Sequence, residues 1–318
     1  MRLTDTDLRT YDSLVLRIRQ PKRKEYLDQV DHLIEQLTAR VREDGTFSVR
    51  AFRKAGSLKK GTALRPRDGL RVDADVAVYL DVLDRSFDIE RLHAILRDIV
   101  RLIYPTKADA DFEINPKTLG IAFAASALDI DLVPVLPDDD RGEGWGWQPS
   151  STGDDPVLTC IPGQLDFIRA RKQADPRYRV VVRLAKRWRD HQELENLRSF
   201  PIELWLAHLY DQEGPCASIE SGLLRLFGWI AQDQLGTPVL FAEHGRLTRL
   251  PDDPVVTVDP VNGENNVTAR LTEADRSGIV KAATTGFETL AYARRATTQG
   301  ETLDLWKELL GRSFRITE

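Results

Sequence analysis

Cysteine is scarce in this chain: Cys160 and Cys216 are the two among 318 residues, and they lie far apart. Two distant cysteines build no disulfide framework, and neither has the spacing of a thiolate metal site. Histidine is thin as well. His32, His93, His191, His208 and His244 are scattered without ligand-like spacing, so a histidine metal centre is not expected. The start, MRLTDTDLRTYDSL, has no apolar signal core, and no apolar run approaches the roughly 20 residues of a membrane-spanning helix. The expectation is a soluble, cytoplasmic chain without a membrane partner. Excess positive charge is also missing. The formal net charge is −5, which argues against direct binding of long DNA or RNA but leaves room for a local basic pocket.

What is present suffices for a large core. Hydrophobic residues make up 42% of the 318 residues, a length that suggests two domains or one two-lobed unit. Residues 7–43 carry apolar side chains at three- and four-residue spacing and predict one long helix. A short strand at 47–52 follows, then a turn at Gly56-Ser57. Residues 73–82 and 127–136 predict strands, 88–103 a helix, and 112–123 a strand pair. Residues 137–157 are rich in Asp, Gly, Pro and Ser and predict a loop. Trp145 and Trp147 in it could stack on a base or pack back onto the core. Beyond it, helical patterns dominate at 162–173, 177–192, 200–212, 218–234, 272–298 and 301–310, interrupted by a turn-rich stretch at 238–267. A boundary near 150 is therefore expected, with a core at 1–150 that includes the N-terminal helix, and a helical lobe at 151–318.

The chemistry concentrates in GSLKKGTALRPRDGLRVDADVAVYL, residues 56–80. Asp73 and Asp75 share one face of a strand, because strand side chains alternate. Asp131, with Asp129 beside it, lies on the later strand LDIDLVPVL. Three carboxylates on adjacent strands cannot all stay ionised cheaply. Two divalent cations remove that cost, and hard oxygen ligands suit Mg2+ or Mn2+. The Gly56-Ser57 turn offers free backbone N–H groups to phosphate oxygens, with Lys59 and Lys60 nearby. On the helix at 177–192, Val181, Leu184, Ala185 and Trp188 form an apolar stripe. Arg179, Arg183, Lys186 and Arg187 lie on the other side, which reads as a solvated basic face.

These motifs, with RARKQADPRYRVVVRLAKRWRDHQ, LRSFPIELWLAHLY and DPVNGENNVTARL, resemble the polymerase-beta superfamily of nucleotidyltransferases. More narrowly, the chain resembles the bacterial cGAS/DncV-like nucleotidyltransferases (CD-NTases) of CBASS anti-phage defence and the related oligoadenylate synthases. Within them it is most similar to the enzymes associated with HORMA-domain regulators. The resemblance implies an α+β, two-lobed polymerase-beta-like fold, with a small mixed sheet carrying the catalytic aspartates and a C-terminal helical lobe. It implies synthesis of a cyclic, adenine-containing oligonucleotide second messenger from ATP and other NTPs. It places two Mg2+ or Mn2+ ions on Asp73, Asp75 and Asp131. It assigns nucleotide binding to Gly56, Ser57, Lys186 and Ser199. Asp129, read from the residues themselves, is a flanking or surface carboxylate rather than a fourth ligand. It also implies a HORMA-domain regulatory partner and a downstream effector that responds to the product. Two other readings stay open on the residues alone: a transferase that adds nucleotides to RNA, a drug or a protein, and a non-catalytic nucleotide-binding regulator.

Overall fold

The computed structural model describes residues 2–45, 47–67, 69–81, 89–149, 156–244, 247 and 249–317. The chain divides into two units. One is Ile18–Leu165; the other joins Met1–Arg17 to Asp166–Glu318.

The first unit opens on helix α2 (Gln20–Asp44), which follows the short α1 (Asp5–Tyr11) of the other unit. The single helix predicted over 7–43 is thus two helices. Pro21 sits in the first turn of α2, Arg19 before it is extended at ψ 143°, and a π-helical turn at Asp12–Leu16 ends the earlier piece. Proline is well suited to a helix start but forces the residue before it away from continuing one. The unit continues through β1 (Val49–Lys54), α3 (Gly56–Lys60), β2 (Val72–Leu80), α4 (Ile89–Ile103), β3 (Phe112–Asn115), β4 (Thr118–Phe123), β5 (Leu128–Pro137), β6 (Trp145–Gln148) and β7 (Val157–Cys160).

These strands form one mixed sheet in the order β1-β2-β5-β4-β3, with β6 paired to β5 and β7 to β6. β2 and β5 run parallel, while β1–β2, β4–β5 and β3–β4 are antiparallel. Alternation decides what each face carries. Val72, Ala74, Val76, Val78 and Leu80 of β2 join Leu128, Ile130 and Leu132 of β5 in one apolar layer. Tyr26, Val30, Leu33, Leu37 and Val41 of α2 cover it, with Leu92, Leu96, Ile99 and Val100 of α4. Each such buried aliphatic contributes roughly 1.5–3 kcal/mol. A slip of one residue would turn all of β2 inside out, so the register is firmly held. The residues between them, Asp73, Asp75, Asp129 and Asp131, therefore face the opposite side.

The loop expected at 137–157 contains two strands instead. Leu136 pairs with Trp147, and Gly146 with Thr159. Gly146 hid this strand, because it interrupts the apolar pattern. It is required, since a Cβ there would lie 2.6 Å from the Leu136 carbonyl oxygen. Trp147 packs against the core layer and donates its indole N–H to Asp138 Oδ2 at 2.9 Å. With these strands the unit reaches Leu165 rather than ending near 150. Residues 150–155 lie outside the described residues.

The second unit is helical. After α5 (Ile161–Ala174) it holds α6 (Tyr178–His191), α7 (Ser199–Glu213), α8 (Ile219–Asp233), α9 (Glu273–Ala293) and α10 (Gln299–Leu310). Ser218, Thr272 and Thr298 cap α8, α9 and α10, each side chain accepting from a backbone N–H three residues on. Met1–Arg17 belongs here, not with the sheet. Asp12 accepts from Arg183 Nε at 2.6 Å and Nη2 at 2.7 Å, both side chains being 4% exposed. Asp5 accepts from Arg177 Nε and the Ile219 N–H, each at 2.7 Å. The turn-rich stretch at 238–267 is organised by buried Asn266. Its side chain accepts from the N–H groups of Thr257 and Thr268 and donates to Asp253 and the Val255 carbonyl. No helix among the described residues is long and apolar enough to cross a membrane.

Candidate active site

The centre of the sheet unit is the rung where β2 and β5 align. Asp73 is in register with Asp129, and Asp75 with Asp131. Four carboxylates on one face repel one another, and partial burial adds to the cost. Burial, then Asp75 and Asp129, pushes Asp73 up to about 6. Burial, then Asp75, Asp73, Asp129 and Glu113, pushes Asp131 up to about 7. Such shifts mark a site built for a partner of opposite charge.

Two glycines leave room for these carboxylates. Gly56 has φ +65°, and a Cβ on it would overlap the Asp75 carboxylate. The Ala55 N–H donates to the Asp75 carbonyl at 2.8 Å, which fixes this turn beside β2. α3 then closes on Gly61 at φ 74°, with the N–H groups of Thr62 and Ala63 donating to the Ser57 carbonyl. The other is Gly120 on β4, opposite Asp131. A Cβ there would stand 3.1 Å from Asp131 Oδ1 and 3.4 Å from the Glu113 Cβ. Gly56, Ser57, Asp73, Asp75 and Asp131 are therefore brought together by one sheet and one turn.

Asp129 is engaged elsewhere. Arg71 Nη1 donates to its Oδ1 at 3.0 Å, with side chains 37% and 33% exposed. Neither Arg71 nor Gly120 was singled out in the sequence. Arg71 lies two residues before Asp73 and so continues its file, which is the signal that was available.

Lys186 and Ser199 lie in the helical unit. Lys186 Nζ donates to Glu203 Oε1 at 2.7 Å, with the two side chains 2% and 0% exposed. The Tyr178 hydroxyl donates to the Glu203 carbonyl at 2.6 Å. Ser199 starts α7, and its Oγ accepts from Arg189 Nη1 at 3.0 Å. Of the solvated basic face expected on α6, Arg179 is exposed, but Arg183, Lys186 and Arg187 are all buried, and Arg187 Nε donates to the Leu310 carbonyl at 2.8 Å. Glu203 was the missed partner. A single glutamate inside FPIELWLAHL was its trace.

The carboxylate face fits divalent ions by charge and by donor type. Its oxygen donors suit Mg2+ or Mn2+, and two cations would relieve the repulsion that raises Asp73 and Asp131. Among the described residues no three acidic, histidine or cysteine side chains close into a ready-made cage.

No protein-family model matches the chain. The CBASS oligonucleotide cyclase CdnC of Escherichia coli (strain KTE188) is 38% identical over 321 residues, covering 100% of this chain and 99% of that protein. The chain belongs to the CBASS oligonucleotide cyclases. It is also similar to a cyclic AMP-AMP-AMP synthase of Escherichia coli (strain MS 115-1), 33% identical over 313 residues and 94% of both chains. Among solved structures, Escherichia coli MS115-1 CdnC with ATP matches at TM-score 0.84 and 29% identity, covering 98% of this chain and 99% of that one. The same relative in complex with a HORMA protein matches at TM-score 0.83, covering 98% of both chains. The α+β nucleotidyltransferase fold and the membership of the cyclase family, both implied by the sequence motifs, are thus shown. The cyclases are nucleotidyltransferases, which sets aside the reading of a non-catalytic regulator.

Proposed function

We propose that this cyclase joins ATP, alone or with other NTPs, into a cyclic adenine-containing oligonucleotide, using two Mg2+ or Mn2+ ions on Asp73, Asp75 and Asp131. The observation that carries the metal reading is the Asp73–Asp129, Asp75–Asp131 register with its two raised carboxylates. The relatives' names, a cyclic AMP-AMP-AMP synthase and a CdnC bound to ATP, support adenine as the base. When bound, such ions activate a ribose hydroxyl and neutralise the leaving pyrophosphate. The chain's own contribution is positioning and charge. Asp73 and Asp75 present oxygens from one strand, and Asp131 presents its own from the next. Gly56 keeps Asp75 unobstructed, and Ser57 offers a hydroxyl and backbone beside it. Ser199 and Lys186 are proposed to contact the triphosphate, Lys186 by exchanging Glu203 for phosphate.

A HORMA-domain protein is the proposed regulator, supported by the complex that the MS115-1 relative forms. An effector that responds to the product is proposed with it. The test is incubation of the protein, with and without such a partner, with each labelled NTP and Mg2+ or Mn2+. A nuclease- and phosphatase-resistant product whose mass equals a ring of adenylates is expected. Linear products or labelled RNA alone would overturn the reading.

A further inference from the structure

Asp129 stands on the same rung as Asp73 and on the same face as Asp131. Nothing in its strand position keeps it from a cation held by its neighbours. Its side chain is instead paired with Arg71. Strand alternation puts Arg71 in file with Asp73 and Asp75, and the backbone ladder reaches that far, since the Val72 N–H donates to the Ala127 carbonyl at 3.0 Å. From there Nη1 reaches Asp129 Oδ1 at 3.0 Å. Lys107 is a second cation near Asp129. Its ammonium donates to the Ala122 carbonyl and lies 4.1 Å from the centre of the Phe123 ring.

We propose that Arg71 holds Asp129 out of the cation-binding set, so that the face offers three ligating carboxylates rather than four and favours Mg2+ over Ca2+. The proposal rests on the reading above that Asp73, Asp75 and Asp131 bind divalent ions. Its basis is coordination chemistry. Mg2+ is small, demands an octahedron and keeps several waters, so it is served by few carboxylates. Ca2+ accepts roughly six to eight oxygens in flexible geometry, so an added carboxylate favours it more. As a stabilising contact a partly exposed ion pair is worth little. As a restraint on where one carboxylate points, a planar guanidinium is well suited, because its donors have fixed directions.

The experiment uses the full chain without nucleotide. Bound Mn2+ is read by electron paramagnetic resonance and displaced with Mg2+ or Ca2+, in wild type, Arg71→Met, Asp129→Asn and the double variant. Arg71→Met should strengthen Ca2+ several-fold relative to Mg2+. Adding Asp129→Asn should return the ratio to the wild-type value, and Asp129→Asn alone should leave it there. Melting temperatures serve as the folding control, and Arg71→Lys should fall between wild type and Arg71→Met. An unmoved ratio in Arg71→Met, or a shift that survives in the double variant, overturns the role of Arg71. The metal reading is checked separately: Asp73→Asn with Asp75→Asn should abolish Mn2+ binding. If wild type shows no Mn2+ that depends on these aspartates, the metal reading and the role of Arg71 fall together.

Discussion

Lys186 and Glu203 form an ion pair at 2.7 Å in which neither side chain reaches solvent appreciably. Breaking a buried pair by removing one partner leaves the other's charge undercompensated, which costs about 3–5 kcal/mol. Lys186→Ala should therefore lower the melting temperature sharply, beyond any effect on substrate. Lys186→Met combined with Glu203→Leu replaces both charges with apolar volume and should recover most of that stability. If Lys186 also contacts the triphosphate, the folded double variant will still use NTPs poorly. Full activity in it would confine Lys186 to a structural role.

Gly56 answers to two constraints at once, a positive φ and the Asp75 carboxylate. Gly56→Ala pays about 1–2 kcal/mol of backbone strain and must also displace Asp75. Turnover should fall by orders of magnitude while the melting temperature drops only modestly. Kinetics of Gly56→Ala close to wild type would show that Asp75 tolerates displacement.

Asp131 is pushed up to about 7 by burial and its acidic neighbours. The unfolded chain releases that proton at the ordinary carboxylate value near 3.9. Between these values the folded state binds more protons, so this group costs stability progressively as pH rises from about 4 to about 7. Asp131→Asn should therefore stabilise the protein at about pH 8, on the order of 1 kcal/mol once solvent screening is allowed for. Near pH ~4 the gain should vanish. Thermal melts at both pH values check this, and an equal gain at both would contradict it.

Control by nucleic acid is the next point. With a net charge of −5 the chain has no charge excess to drive binding to long duplexes. Duplex DNA added to the purified protein should leave its rate unchanged, whereas a HORMA-domain partner should raise it. Such a partner works only through preferential binding to the productive conformation. Strong stimulation by DNA, lost steeply as salt rises, would refute the argument from charge.

The sheet face was legible because its signal is local. Asp73, Asp75 and Asp131 lie on apolar strands with period-two spacing, and parallel pairing does the rest. The helices of the second unit were legible for the same reason, from their period of 3.6. Three features were not. β6 is broken by Gly146, whose reason is a carbonyl on a strand ten residues away in sequence. The burial of Arg183 and Lys186 depends on Asp12 and Glu203, 171 and 17 residues distant, and a helical wheel cannot show a distant partner. The role of Arg71 depends on Asp129, a partner 58 residues away on the next strand.

The buried Asp12–Arg183 pair also bears on the order in which the chain can fold. The sheet unit is one uninterrupted stretch, Ile18–Leu165, while the helical unit is sewn from two. As the chain leaves the ribosome, Asp5 and Asp12 emerge before the strands of the sheet, and Arg177 and Arg183 only after them. The native partners of Asp5 and Asp12 are made only after the strands that carry the aspartates. A segment made before the sheet thus completes its buried pairs only after it.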